Sequence, residues 1–354
     1  MLTLVIICIF IALAFDFLNG MNDAGNSIAT VVATGVLKPK TAVVWAAFFN
    51  FIAIMIFGVK VATTIGKGIV VNELVKPDAY FILAALLAAI SWVYFCGKNG
   101  LPNSVSHALI GGLIGPALLK AGISGIHVWG VSKIVIFIVL APVMGFIIGY
   151  LFMVLTLVAF RKTTQHKVDS FFRIFQLASS AAFSMGHGGN DAQKTMGVIM
   201  ILILFIKGNL IQIGVPSWIY TGYYAPDSIP LWVMLAAQSA IALGTLTGAW
   251  KIIRTLGVKL THLKPVGGFC AETAGAVTLF TVTALGIPVS TTHTITGAIM
   301  GVGVTKRVSA VKWGIAGNII TAWILTIPIA IIISASLYWI IMHLVVLLHL
   351  PTLL

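Results

Sequence analysis

Acidic residues are the scarcest chemistry in this chain: eight Asp and Glu among 354 residues, against 21 Lys and Arg. Charge of both signs makes up 8% of the chain and hydrophobic residues 60%, with a mean hydropathy of +1.10. A water-soluble domain carries about 25% charge, so that class is excluded. Arginine is limited to Arg161, Arg173, Arg254 and Arg307, all in or near expected loops, which argues against a guanidinium clamp at the centre of the molecule. The three cysteines, Cys8, Cys96 and Cys270, lie scattered in apolar stretches without metal-ligand spacing and read as packing residues. The net charge of +13 does not point to nucleic acid, because the basic residues sit mainly in short loops, where they orient membrane proteins.

What the chain has in abundance is long apolar runs. They fall near residues 2–18, 41–58, 80–97, 104–120 and 127–158, and again near 175–206, 231–250, 267–285, 290–304 and 310–348. At about 20 residues per crossing they amount to about 10–12 membrane segments. Residues 2–18 lack the positive start and small-residue cleavage site of a signal peptide, and read as a retained first helix. The stretch 161–173 holds Arg161, Lys162, Lys167 and Arg173 and is the best candidate for a cytoplasmic linker. No Lys or Arg precedes Lys38 or follows Lys312, which predicts both termini outside and an odd number of spans in each half. The expected organisation is a first transmembrane repeat over 1–158, a linker over 159–174 and a second repeat over 175–354.

The halves share residues in register. At an offset of 168, Asp16, Asn19, Asn22, Asp23 and Asn26 fall on Ser184, His187, Asn190, Asp191 and Lys194. At an offset of 186, Gly100-Leu-Pro-Asn-Ser-Val-Ser-His107 falls on Gly286-Ile-Pro-Val-Ser-Thr-Thr-His293, and Gly111, Gly115 and Pro142 fall on Gly297, Gly301 and Pro328. The change of offset places about 18 extra residues in the second half, assigned to Lys207–Pro230. Two halves of opposite orientation with polar groups at matching depth form an inverted repeat around a central site.

Four of the eight acidic residues, Asp16, Asp23, Asp191 and Glu272, fall inside apolar or Gly-rich segments. A carboxylate at membrane depth is a functional candidate by default. Asp16 to Asn26 follow helical spacing and form one polar stripe, and flanking glycines suggest local unwinding. Carboxylate, amide and carbonyl oxygens suit a hard cation, here Na⁺ at Asp23 and Asp191, with a proton as the competing occupant. Asn22, Asn26, Asn190 and Glu272 are further cation candidates, with Asn19 and Asp16 weaker ones. The Gly-x-Pro-x-Ser elements predict helix starts whose N–H groups and hydroxyls attract an oxyanion. Asn103, Ser104, Ser106, Ser290, Thr291, Thr292 and the amide of Gln176 are the candidates there. Lys194 has two readings, a partner of a carboxylate or the anion, and a snorkelling lysine. His107 and His293 are supporting candidates against a plain packing role.

These paired elements, Asn19-Gly-Met-Asn-Asp-Ala-Gly-Asn26 with His187-Gly-Gly-Asn-Asp-Ala-Gln-Lys-Thr-Met-Gly197, and the two Ser/Thr-His elements, resemble the inorganic phosphate transporter (PiT) family. The resemblance runs from Asp16 to about Pro328. Gly25 stands where that signature usually has Ala, and the linker is short where some relatives insert a large domain. The resemblance implies an all-α polytopic carrier in a cell membrane, built with broken helices and re-entrant hairpins, that moves phosphate with Na⁺ or H⁺ by alternating access, without cofactor or catalysis. It implies that Asp23, Asn26, Asn190 and Asp191 help bind cations and that Ser104, Ser106, Ser290, Thr291, Thr292 and Gln176 surround phosphate. A sulfate permease of the same fold, a passive channel and an intramembrane enzyme acting on phospholipid are the alternatives. Assembly into a homo-oligomer is left open. Asp23→Asn or Asp191→Asn is expected to cripple coupled uptake and leave the protein folded.

Overall fold

The start of each helix can be read from the residues just before it. In the computed structural model, which describes residues 2–209, 216–220 and 229–350, Pro39 and Pro265 open helices at their first turn and Asp78 caps another by accepting from Phe81 N–H at 2.8 Å. Ser104 and Ser290 cap two more in the same way, accepting from His107 and His293 N–H at 3.2 and 3.3 Å. Gly100 and Gly286 precede these caps with φ of 68° and 70°, a conformation glycine adopts without strain.

The described residues are all-α. The elements are α1 (Leu2–Ala33), α2 (Pro39–Ile52), α3 (Lys60–Lys67), α4 (Asn72–Val75), α5 (Ala79–Asn99), α6 (Val105–Ala121), α7 (Val128–Ala159), α8 (Gln165–Gly208), α9 (Leu231–Thr247), α10 (Trp250–Arg254), α11 (Pro265–Ala284), α12 (Thr291–Val304) and α13 (Trp313–Leu347). Seven described helices are long and apolar enough to cross a membrane, or nine if each of two bent pairs counts as one span. The bent pairs are α2 with α3, at 82°, and α9 with α10 and its π-helical continuation Thr255–Lys259, at 66°. The assigned extra segment of the second half lies largely outside the described residues.

Apart from the short α4, element order repeats: long helix, bent pair, helix, capped helix, long helix with an internal proline. In each half the helix just before the serine-capped one pairs with it, α5 with α6 and α11 with α12, and each serine-capped helix also packs on the last helix of the other half, α6 on α13 and α12 on α7. The most apolar stretch of α8 is 89% buried, whereas those of α7 and α13 are 22% buried and leave most of their apolar surface uncovered. Pro142 lies inside α7 and Pro328 inside α13, each removing one backbone donor from the helix. Pro142 has no N–H to donate to the carbonyl of Ile138, and His293 Nδ1 takes that acceptor at 3.4 Å while its ring stacks on Trp323. His107 meets His293 edge to face at 4.8 Å, so the histidine pair seals the joint between the halves.

A second reciprocity joins the bent pairs to the Gly-Pro turns. Lys60 donates to Ala284 O at 3.1 Å and Thr64 to Gly286 O at 2.7 Å. In the other half, Lys251 donates to Lys98 O at 2.7 Å and Thr255 to Gly100 O at 3.2 Å. Each Lys/Thr pair, four residues apart, thus ties one half to the carbonyls that end α5 or α11 in the other, where the helix dipole favours a cation.

One sequence expectation changes. Helix α1 runs unbroken through Asn19–Asn26, and α8 through His187–Lys194, so the flanking glycines do not unwind the chain. They allow close approach: a Cβ on Gly20 would lie 2.0 Å from Ile241 O, and one on Gly188 2.4 Å from Asn50 O. Helix α8 begins at Gln165, inside the stretch 159–174 expected as the linker.

Candidate functional site

Helices α1 and α8 carry their polar stripes to the place where the capped starts of α6 and α12 meet. Because α1 is continuous, Asn19, Asn22, Asp23 and Asn26 share one face, and all are buried. Asn22 donates to Asn103 Oδ1 at 2.9 Å, just before the Ser104 cap. In the other half, Asn190 Oδ1 accepts from Val289 N–H at 3.4 Å, just before the Ser290 cap, and its amide donates to Thr283 at 2.9 Å. Ser106 donates to Val289 O at 3.1 Å and so fastens the two starts together.

The carboxylates converge on one residue. The Thr291 hydroxyl lies 3.2 Å from Asp23 Oδ2 and 3.4 Å from Asp191 Oδ2, and Thr292 Oγ1 is 3.4 Å from Asp23 Oδ1. The Asn26 amide donates to Thr292 at 2.8 Å and Thr291 at 3.2 Å, which leaves its buried Oδ1 without a hydrogen-bond partner. The Asn103 amide nitrogen is likewise buried and unpartnered, so an acceptor and a donor stand unused beside the same helix starts. By helix geometry the first N–H groups of α6 and α12 have no partner within the helix, and each Ser cap satisfies one of them.

His187 completes the centre and was missing from the sequence-derived candidates. Its orientation is set by a relay. Thr245 Oγ1 donates to Ile241 O at 2.8 Å, so it accepts from the Asn50 amide at 2.9 Å, which turns Asn50 Oδ1 toward His187 Nδ1 at 3.1 Å. In the neutral ring the proton is then on Nδ1, and the Nε2 lone pair faces Asp191 Oδ2 at 3.5 Å. Asp23, His187 and Asp191 present ligand atoms within 4.8 Å of one another. Acceptors facing acceptors at that spacing are stable only with positive charge among them. No sequence signal marks this relay, since Asn50 reaches His187 from 137 positions away in the chain.

Lys194 pairs with Asp191 Oδ1 at 2.5 Å and donates to Val289 O at 2.9 Å; it is buried and does not snorkel. Asp16 lies on the same face of α1 with Asn19 Nδ2 at 3.4 Å.

Gln176 and Glu272 are brought together elsewhere. Glu272 accepts from Thr30 at 2.5 Å, Ser179 at 2.5 Å and Gln176 at 3.1 Å, and Thr34 donates to Gln176 Oε1 at 2.9 Å. Thr30 lies about two helical turns beyond Asp23, and Gln176 about 22 Å of helix rise before Asp191. Gln176 thus sits with a carboxylate instead of with the Ser/Thr elements, because α8 is one continuous helix and holds the two positions apart.

The profile of the phosphate transporter family matches residues 19–334, a span that takes in every residue of this centre. The chain belongs to that family. It is 52% identical over 331 residues to a probable low-affinity inorganic phosphate transporter of Rhizobium meliloti (strain 1021), covering 94% of each chain. It is 39% identical over 340 residues to the protein described in the same words in Bacillus subtilis (strain 168), covering 96% of this chain and 98% of that one. Among solved structures, a sodium-dependent phosphate transporter superposes with a TM-score of 0.82 at 26% identity, over 96% of this chain and 99% of that one. Membership in a family of transporters accounts for a multi-pass membrane protein and sets aside the enzyme alternative.

Proposed function

We propose that this protein imports inorganic phosphate into the cell together with Na⁺, by alternating access between two inverted repeats. The observation that carries this reading is the convergence of Asp23, Asp191 and the His187 lone pair beside the Thr291 hydroxyl. A phosphate dianion placed here without a cation would face two carboxylates in a poorly hydrated site. With a cation held by Asp23, Asp191 and the Asn26 carbonyl oxygen, the donors of Asn103, Ser104, Ser290 and the helix starts become a favourable cradle. Coupling follows from that geometry, since each ligand lowers the cost of binding the other. Glu272 with Gln176 forms a second polar cluster through which a cation could pass.

Two clefts flank the centre. One, of about 480 Å³, is lined by Thr64, Lys67, Lys133, Gly286 and Pro288. The other, of about 370 Å³, is lined by Asn22, Gly97, Lys98 and Lys251. Each contains a Gly-Pro turn or its approach, with lysines suited to attract an anion. The Lys/Thr ties close these turns, and in this reading they are the two gates. Removing one tie with Lys251→Met and Thr255→Val should speed impermeant-thiol labelling of Met21→Cys several-fold, in a background without other cysteines. Removing the Lys60 and Thr64 pair should leave that rate unchanged. Equal effects of both pairs would refute separate gates. The positive-inside pattern supports a cytoplasmic linker and external termini.

The first test is radiolabelled phosphate uptake into proteoliposomes with an inward Na⁺ gradient at fixed pH and sulfate as competitor. Uptake that needs Na⁺ and ignores sulfate is the expected result; displacement by sulfate would refute the substrate. A second reading has its own observation: the 3.5 Å between His187 Nε2 and Asp191 Oδ2 is a distance a shared proton would close. Uptake driven by a pH gradient alone would select it.

A further inference from the structure

We infer that Lys194 is a tethered cation, occupying in the second repeat the place that a transported cation would occupy under the register of the first. One fewer cation then accompanies each phosphate than two Asn-Asp elements imply. The inference rests on the reading that these elements bind the transported cations.

The register that aligns Asp23 with Asp191 aligns Asn26 with Lys194. Three residues after the carboxylate, the first copy therefore has an amide where the second has an ammonium. In the first copy Asp23 has only neutral donors, Asn22 at 3.3 Å, Thr291 at 3.2 Å and Thr292 at 3.4 Å, all long for bonds to a carboxylate. The Asn26 carbonyl oxygen beside them is unpartnered. That copy offers oxygen atoms and no countercharge. In the second copy the Lys194 ammonium sits between Asp191 Oδ1 at 2.5 Å and Val289 O at 2.9 Å. A carboxylate oxygen with a backbone carbonyl is an oxygen pair of the sort that coordinates an alkali cation, and here a covalently held cation already occupies it. Both side chains are 1% exposed, so the pair is not a solvated surface contact.

Charge points the same way. Asp23 and Asp191 together carry two negative charges and Lys194 cancels one, which leaves one for a mobile monovalent cation between Asp23, His187 and Asp191 Oδ2. Asp16 is buried one turn before Asn19, whose amide donates to it at 3.4 Å. Its register partner is Ser184, so it does not restore a cation requirement to the second copy. Whatever Asp16 contributes is common to the parent and a Lys194 variant, and the difference between them isolates the lysine.

The test is the charge moved per phosphate in proteoliposomes, with ²²Na⁺ and labelled phosphate counted in the same preparation, for the parent, Lys194→Asn and Lys194→Arg. Lys194→Asn recreates the first copy's residue. It should transport one additional monovalent cation per phosphate, with a steeper dependence of uptake on Na⁺, while Lys194→Arg keeps the parent ratio. An unchanged ratio in a transporting Lys194→Asn protein would overturn the inference and make the lysine a structural partner of Asp191. If Lys194→Asn folds without transporting, equilibrium ²²Na⁺ binding in detergent decides: one more ion per chain than the parent supports the inference, and equal binding overturns it. If it does not fold, the reciprocal Asn26→Lys should bind one ion fewer than the parent, and equal binding again overturns the inference. A parent that binds no ²²Na⁺ and takes up phosphate regardless of Na⁺ or pH gradients would overturn the cation reading itself, and this inference with it.

Discussion

Asp23→Asn should abolish cation-driven phosphate accumulation, by at least about 100-fold, and yield protein that is as stable as the parent. Asp191→Asn should lose transport to the same degree and lose stability as well. The difference arises from Lys194. Asp23 has only neutral partners and faces a second carboxylate, so its replacement by an amide removes a repulsion and keeps donors for the oxygen. Asp191 holds a buried ammonium at 2.5 Å, and its neutralisation strands that charge away from water. Breaking a buried pair by removing one partner costs about 3–5 kcal/mol. In transport the two variants lose the same thing, a full negative charge on the shared cation. A loss of about 3 kcal/mol at 1.4 kcal/mol per tenfold gives the 100-fold figure. Uptake and apparent melting temperature in detergent, measured on both proteins, check the prediction. Equal melting temperatures with equal loss of uptake would show that the Lys194 pair adds nothing to stability. The sequence alone predicts that both variants fold, because it shows Lys194 one turn from Asp191 but not which way the lysine points.

Gly297→Val or Gly301→Val should prevent recovery of folded protein. A Cβ at Gly297 would stand 2.1 Å from Pro142 O, and one at Gly301 2.1 Å from Phe146 O. Both obstacles are backbone atoms of α7, at Pro142 and one turn beyond it, so no side chain can rotate away. Overpacking with a movable neighbour costs about 1–3 kcal/mol; here α12 would have to leave α7 and drag Thr291 and Thr292 from the carboxylates. The other half repeats the arrangement, with a Cβ on Gly115 2.0 Å from Ser334 Oγ and 2.6 Å from Ile331 O. Gly314→Ala, where an added Cβ meets nothing within 4 Å, is the matched control and should be neutral. Monodisperse elution and yield are the readouts; folded Gly301→Val protein at parent yield would contradict the packing account.

The sequence shows why the centre is where it is, and misses how it is held. Spacing alone places Asp16, Asn19, Asp23 and Asn26 on one helix face, because a side-chain period of 3.6 is a local property. The Ser104 and Ser290 caps are equally local: proline followed by serine two residues later is enough to start a helix. The role of the glycines around the Asn-Asp elements depends on what lies opposite, and the partners that need the space, Ile241 and Asn50, are far away in the chain. The same holds for Gln176, whose place beside Glu272 follows from α8 being one helix of 44 residues. The Lys/Thr ties leave no trace in the alignment of the halves, because their acceptors are backbone carbonyls, which every residue has, and their donors pair at a third offset. His187 was visible as part of a repeated element, but its lone pair became meaningful only when Asn50 and Thr245 fixed the ring.

The most direct test of shared occupancy reverses the usual experiment. Proteoliposomes are given equal Na⁺ on both sides and an inward phosphate gradient, and ²²Na⁺ is followed over time. Because phosphate and the cation are proposed to occupy one centre and move together, the phosphate gradient should drive transient ²²Na⁺ accumulation above equilibrium, and Asp23→Asn should eliminate it. Phosphate entry without any net ²²Na⁺ movement would contradict the account, and would make Na⁺ at most an activator that stays behind.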